Sequence, residues 1–312
     1  MNIDGFLDYA CKKYYEGDPI ISDEEFDSLA NIVNYKAVGL KSGSTDIPHL
    51  YQMYSLQKVY DDENKPVPRS FVETEKLDGA AIAVIYYKGK YVRALSRGDG
   101  IKGQDITDNV RNLVPNKIMS PHNDLIQITG EVVAPKTIPN ARNYAAGALN
   151  LKSADEFATR DLTFIAYGIY PYCDSTWTQD MVYLTNLGIR TVFTGRGDLN
   201  KFPTDGLVFR ENNYKEFEGM GYTSKHPRAA FALKERPTGI ITTLLDVVWQ
   251  VGKSGIVSPV AILEPILIGE ATISKATLHN MAYIEGLNLE IGCSVEVIRA
   301  GEIIPRVVRR VD

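Results

Sequence analysis

Apolar residues recur at helical spacing where the chain begins: Ile3, Phe6, Leu7, Ala10, Cys11 and Tyr14 share one stripe, which Gly17 and Pro19 end. Ser22 and Glu25 then stand at the S-x-x-E spacing of a capping box, which predicts a second helix over "DEEFDSLANIVNY". From about residue 49 the pattern changes to short β-rich runs, "AAIAVIYY", "YVRALS", "LIQITGEVV", "LTFIAYGIY" and "GLVFRE", with helical pieces around 105–113 and 176–188. Such irregular mixing predicts an α+β domain built on antiparallel sheets, and it lacks the regular alternation of a βαβ repeat. Pro237 and Gly239 mark the next change, after which "TLLDVVWQVG", "VSPVAILEPILI", "ATISKATLHN" and "SVEVIRAGEIIPRVV" crowd several strands into a short span. That is the pattern of a small closed β-barrel such as an OB-fold. The expected organisation is a helical module over 1–48, an α+β domain over 49–236 and a barrel over 237–312.

A length of 312 residues accommodates about two domains of ~100–200 residues. Hydrophobic content of 44% and charged content of 23% are ordinary for a soluble chain. No apolar run approaches the ~18 residues of a membrane span, and "MNIDGFLDYACKK" carries acids where a signal peptide would carry bases, so a cytoplasmic protein is expected. Cys11, Cys173 and Cys293 lie far apart with no CxxC pair, which predicts small apolar packing residues and neither a zinc site nor a disulfide framework. The net charge of -5 is concentrated at the amino end, where residues 1–48 hold nine acids against four bases. The neutral remainder argues against strong nonspecific nucleic-acid binding, although phosphate contact depends on where Lys and Arg cluster.

Two kinds of chemistry compete in "ETEKLDGAAIAVIYYKGKYVRALSRGDGIKGQD", residues 73–105. Gly98, Gly100 and Gly103 satisfy G-x-G-x-x-G after a strand and before a helix near Asp105, the context of a dinucleotide-binding turn. A Rossmann unit would continue from that helix into a second parallel strand ending in an acid. Here the helix meets "VPNKIMSPHND", with two prolines, so an ordinary hairpin turn competes with the fingerprint. The other candidate is Lys76 in K-x-D-G. A lysine is a poor nucleophile at neutral pH and needs cationic neighbours or desolvation, and Lys76 and Asp78, two apart on a strand, share one face. Alone, so small a motif reads first as a solvated surface lysine. His49, His122, His226 and His279 have no nucleophile motif beside them, which sets the serine and cysteine triads aside.

Further segments, in order, change the balance: "YYEGDPIISDEEFDSL", "HLYQMYSL", "EKLDG", "SRGDGIKGQDITDNVR", "TGEVV", "ARNYAAGAL", "LTFIAYG", "DGLVFREN", "PRAAFALK", "WQVGKSGIVSPVAILEP", "ATLHN" and "RAGEIIP". Together they resemble the NAD-dependent DNA ligases of the bacterial type over almost the whole chain. The resemblance implies an adenylyltransferase domain between a small helical module and an OB-fold. It implies that Lys76 attacks the α-phosphorus of NAD, expels nicotinamide mononucleotide and carries AMP, which passes to the 5'-phosphate of a nick before the 3'-hydroxyl displaces it. By the same resemblance Arg97, Arg210 and Lys234 are the cations crowding the amine and the transferring phosphate, as phosphoryl chemistry requires. Asp78 and Glu131 are the carboxylates expected at the ribose or a hydrated Mg²⁺, Tyr167 stacks on adenine, and Ser55, Leu56, Thr74 and Gly79 line the adenylate site. Tyr14, Tyr15, Asp23, Phe26 and Asp27 match the site for the nicotinamide mononucleotide half, where acids and aromatic faces suit a pyridinium cation. Arg142 and Lys253 are expected to face nicked double-stranded DNA.

Several positions depart from the family pattern. Thr74 stands two before the nucleophile where a Glu usually reads the adenine amino group, with Glu75 displaced by one. Arg210 replaces a lysine and so cannot accept a proton. Phe26 replaces a tyrosine, Thr129 and Asn150 replace arginines, and Lys253 stands for an arginine in the barrel. Full-length relatives continue past the barrel into a four-cysteine zinc module, helix-hairpin-helix repeats and a BRCT domain, which this sequence does not contain. Residues 237–312 hold six bases against eight acids, thin support for gripping a duplex. The expectation is intact self-adenylylation, with nick sealing that is weak or depends on a second polypeptide. A Rossmann-type oxidoreductase and a nucleotide-binding accessory subunit without catalysis are the competing classes.

Overall fold

The run "AAIAVIYY" is apolar at every position, and it becomes a strand buried on both faces, Ala80–Tyr87, at the centre of the first sheet. A computed structural model of the chain describes residues 3–15, 19–22, 25–26, 29–30, 47–60, 70–119, 124–193, 199–234, 239–251, 257–268, 271–300 and 304–312. They belong to two compact units, Met1–Lys234 and Glu235–Asp312.

The first unit starts with α1 (Asp4–Tyr15). Ile3, Phe6, Leu7 and Ala10 of its stripe are buried in one cluster with Ile85, Tyr87, Val92, Leu95 and Leu125, which lie on three neighbouring strands. Each such side chain contributes about 1.5–3 kcal/mol by leaving water. Arg93 reinforces the seam: it donates to the Gly5 carbonyl at 3.1 Å, and its guanidinium lies 3.7 Å from the Tyr9 ring centroid. The capping box forms in both directions, with the Glu25 carboxylate accepting from the Ser22 N–H at 3.0 Å and Ser22 Oγ accepting from the Glu25 N–H at 3.3 Å.

There follow β1 (Ile47–Pro48), β2 (Gln57–Tyr60), β3 (Phe71–Leu77), β4 (Ala80–Tyr87), β5 (Lys90–Ser96), β6 (Lys102–Gly103), α2 (Thr107–Val110), β7 (Leu125–Val133), α3 (Ala141–Leu149), α4 (Ala154–Ala158), β8 (Thr163–Tyr170), α5 (Trp177–Asn186), β9 (Thr204–Glu211), α6 (Tyr214–Met220) and β10 (Ala230–Lys234). One four-stranded sheet runs β5-β4-β7-β8 and a second runs β2-β10-β9-β3. The first is antiparallel throughout. The second departs from the expected antiparallel pattern: β2 and β10 pair in parallel, a join between segments far apart in sequence. Helix α5 is capped by Thr176, whose hydroxyl accepts from the Gln179 N–H at 3.4 Å, and it buries Trp177. The Trp177 indole N–H donates to the Tyr167 carbonyl at 2.8 Å, fixing that ring against β8.

The second unit contains β11 (Ile240–Val251), β12 (Val257–Ile268), β13 (Ala271–Thr277), α7 (Met281–Gly286), β14 (Ser294–Ala300) and β15 (Ile304–Arg310). The strands close into a barrel in the order β11-β12-β13-β15-β14, as the sequence predicted. Leu244, Ala261, Leu263, Val295, Val297 and Val307 fill its interior, with Cys293 among them as a small apolar residue. Cys11 and Cys173 are half-buried free thiols.

Candidate active site

Lys76 and its facing strand are set by an irregularity in the β3–β9 ladder. Glu75 pairs with Leu207 and Leu77 with Thr204, so Lys76 alone stands opposite two residues, Asp205 and Gly206. Such a bulge bends the strand and re-aims a side chain. Gly206 meets it with a φ of 134°, and a Cβ there would lie 2.2 Å from the Leu233 carbonyl oxygen, so only glycine fits. Lys76 Nζ consequently donates to Asp205 Oδ1 at 2.6 Å, and Lys234 on β10 donates to Oδ2 of the same carboxylate. Burial works against the Asp205 charge, yet the hydrogen bonds from Lys234 and Lys76 outweigh it and hold the carboxyl below its ordinary range.

These groups lie at one end of a cavity of about 430 Å³, lined from both four-stranded sheets. Asp78, just past β3, pairs with Arg142 of α3 at 3.2 Å. Glu131 on β7 is the perturbed acid: burial pushes its carboxyl up to about 7, against the opposing pull of the Lys76 charge and the Gly79 N–H. Gly79 is required by close approach, because a Cβ there would lie 2.2 Å from the Val132 carbonyl oxygen. Arg97 also lines the cavity, carried by the loop from β5 to β6. That loop is an Asx-turned hairpin: Asp99 Oδ1 accepts from the N–H groups of Ile101 and Lys102 at 2.8 Å each. Met53 N–H donates to the Gly100 carbonyl at 2.8 Å, and the buried His49 donates from Nε2 to the Arg97 carbonyl at 3.0 Å. Gly98, Gly100 and Gly103 therefore serve a hairpin turn within antiparallel structure, which removes the Rossmann reading.

The other end of the cavity is aromatic. Tyr167, Tyr170, Trp177 and Phe217 line it with Gly168 and the buried hydroxyls of Thr74 and Thr129. Arg210 on β9 reaches across from the second sheet, donating to the Tyr167 carbonyl at 3.4 Å, with its guanidinium 4.9 Å from the Trp177 ring centroid and 5.1 Å from that of Phe217. Ser55 and Leu56 complete the wall, and Ser55 Oγ donates to the Lys225 carbonyl at 3.1 Å. A lysine with convergent charges at one end and a flat aromatic slot at the other suits a nucleotide, phosphate first.

Residues 41–196 match the family model described as the NAD-dependent DNA ligase adenylation domain, and residues 241–312 match the NAD-dependent DNA ligase OB-fold domain. The chain belongs to the NAD-dependent DNA ligase family. A DNA ligase of Lawsonia intracellularis is 32% identical, covering 97% of this chain and 55% of the relative. Those of Campylobacter curvus and Acinetobacter baumannii strain AYE are 30% and 31% identical, covering 95% and 94% of this chain. The ligase-family chain spans about half the length of these curated relatives, 55% and 54% for the last two. Among solved structures, a chain from a structure-function study of Lig E DNA ligases aligns over 83% of this chain with TM-score 0.49 and 13% identity. Nothing in these matches points to a second polypeptide.

Of the residues singled out in the sequence of this ligase-family member, Lys76, Asp78, Gly79, Arg97, Glu131, Arg142, Tyr167, Arg210, Lys234, Ser55, Leu56 and Thr74 all line the one cavity. Phe26 packs against the cluster that seats α1. Tyr14 and Tyr15 lie on α1 with their side chains outside the described residues, and Asp23, Asp27 and Lys253 lie outside them altogether. Asp205 is the residue that sequence reasoning missed. The crowd expected around Lys76 was cationic, whereas the group in contact with its amine is this carboxylate. The available signal was the Asp-Gly pair opening "DGLVFRE", the strand that also carries Arg210. Among the described residues no helix is long and apolar enough to cross a membrane.

Proposed function

We propose that this chain is the nucleotidyl-transferring part of an NAD-dependent DNA ligase, with Lys76 as its nucleophile. The observation that carries the reading is the Lys76–Asp205–Lys234 cluster at the phosphate end of a nucleotide-sized cavity. Lys76 Nζ bonds to the α-phosphorus of NAD as the pyrophosphate P–O bond breaks, nicotinamide mononucleotide leaves, and AMP stays as a phosphoramidate. The proton the amine must lose passes to Asp205, already in hydrogen-bond contact, once the phosphate draws Lys234 away from that carboxylate and lifts the hold on its charge. Arg97 and Lys234 face the charge that develops on the phosphoryl oxygens, and the Tyr167 slot holds the base. AMP then passes to the 5'-phosphate of nicked DNA, with Arg142 at the cavity mouth and the barrel as the further duplex contact. Residues 1–48 are assigned to the nicotinamide half, residues 49–236 to adenylyl transfer and 237–312 to the OB-fold.

The donor set fits Mg²⁺. Among the described residues no three His, Cys, Asp or Glu gather as a cage, but Mg²⁺ keeps several waters and takes only one or two carboxylates. Asp78 and Glu131 would supply these, and the raised Glu131 carboxyl marks an acid short of compensating charge. Bound there, the ion would supply positive charge for the phosphate oxygens.

The test is to mix the protein with Mg²⁺ and NAD labelled in its adenine, follow intact mass, and map the adduct. One AMP on Lys76, released by acid and lost in Lys76→Ala, is expected; nicked DNA added next should discharge it. Nucleotide binding unaffected by Lys76→Ala, with no adduct in either form, would instead leave a binding subunit.

A further inference from the structure

Acidic groups are unevenly spread along the cavity. Its inward-facing carboxylates, Asp78, Glu131 and Asp205, gather at the Lys76 end. Glu75 also borders the cavity, but strand alternation sends its side chain to the face opposite Thr74. Arg210 follows Asp205 by five residues on β9, about 16 Å further at ~3.3 Å per residue. Between the two, the buried polar side chains of the lining are the hydroxyls of Thr74, opposite Val208 of β9, and Thr129, two residues from Glu131 on β7; beyond them the Arg210 guanidinium is held by Trp177, Phe217 and the Tyr167 carbonyl. Arg210 Nε is buried with no hydrogen-bond partner among the described residues. A buried donor in this state wants an acceptor from whatever fills the slot.

Arginine only donates, and a hydroxyl does either. On a purine edge, arginine complements the paired acceptors O6 and N7 of a 6-oxopurine, whereas an amide suits N6 and N7 of adenine and a carboxylate accepts from an exocyclic amine. We propose that this end of the cavity reads the purine as an acceptor and does not select for a 6-amino group, so that nicotinamide hypoxanthine dinucleotide serves as a donor alongside NAD. The inference rests on the function proposed above. The chemistry is the same step: the Nζ–phosphorus bond forms, nicotinamide mononucleotide leaves, and IMP stays on Lys76 in place of AMP. A site built around an acceptor for the amino group would be left with an unpaired buried group by the oxo analogue, and would reject it by ~10⁴-fold. Arg210 and the two hydroxyls leave no such group unpaired.

The experiment compares kcat/KM for adduct formation on the full chain with each dinucleotide, read by intact mass. Hypoxanthine dinucleotide used at one tenth of the NAD efficiency or better supports the assignment; anything lower overturns it. Thr74→Glu supplies an acceptor-only group and should lower the hypoxanthine-to-NAD ratio at least tenfold, and Arg210→Gln should move it the same way. An unchanged ratio in both variants also overturns the assignment, because the ratio cancels any loss of folded protein. If NAD reacts and the analogue does not, this inference alone fails; if neither reacts, the proposed function fails first.

Discussion

Glu131 couples the site to the stability of the fold, and the coupling has a sign that can be worked out. Burial raises its carboxyl from 4.5 to about 7 in the folded chain. A folded-state value above the unfolded one means that the native protein holds the proton more tightly. The stabilisation from that proton is full below about pH 4.5 and is lost as pH rises to about 7. At ~1.4 kcal/mol per pH unit of separation, the loss is at most about 3–4 kcal/mol. Glu131→Gln keeps the shape and removes the titration. For a unit the size of Met1–Lys234, 1 kcal/mol corresponds to about 2–4 °C in Tm, so the variant should gain up to about 6–16 °C on wild type between acid and mildly basic buffer. Thermal melts of both proteins across that range, in EDTA and without nucleotide, measure it. Excess Mg²⁺ should shrink the difference at the basic end by favouring the charged carboxylate. A Tm difference that stays flat with pH in EDTA would show that Glu131 ionises as an ordinary surface acid, and would refute the account of its burial.

Asp205→Asn leaves Lys76 and Lys234 without their shared carboxylate; single-turnover adduct formation should slow by about 100-fold, the scale of a misplaced reacting group, and an unaltered rate would remove Asp205 from the mechanism. Gly103→Ala would put a Cβ 1.7 Å from the Ser96 carbonyl oxygen and force the hairpin that carries Arg97 apart. A loss of about 1–3 kcal/mol in urea unfolding is expected, and a wild-type midpoint would count against the rigid turn.

The parts of this molecule legible in the sequence are those with local causes. The seat of α1 follows from an apolar stripe of which four residues are buried, the Ser22–Glu25 box from spacing alone, and β4 from an unbroken apolar run between turns. Helix α3 carries an entry signal in residue type alone: its N-cap residue, Asn140, sits in the left-handed region with a φ of 51° and makes no side-chain cap. The parallel β2–β10 pair was hidden, since in "QKVY" only Val59 is buried and its partner strand arrives some hundred and seventy residues later. Residue types announced the cations of the site, but the arrangement that fixes their roles is non-local, as with Arg210 settled between Trp177 and Phe217.

Asp205 shows why a crowd of cations was an incomplete expectation. Two ammonium groups within ~5 Å repel by about 3 kcal/mol at an effective dielectric of ~20, and neither Lys76 nor Lys234 is exposed enough for water to absorb all of it. One carboxylate accepting from both offsets that repulsion while the cavity holds no anion, and each lysine keeps a fixed direction. An arriving phosphate brings its own negative charge and competes for the same two donors. In the proposed reaction Lys234 turns to the phosphoryl oxygens as Lys76 passes its proton to the carboxylate it already touches. The bulge that places Asp205 and Gly206 against a single lysine is thus the local distortion on which the proposed chemistry turns.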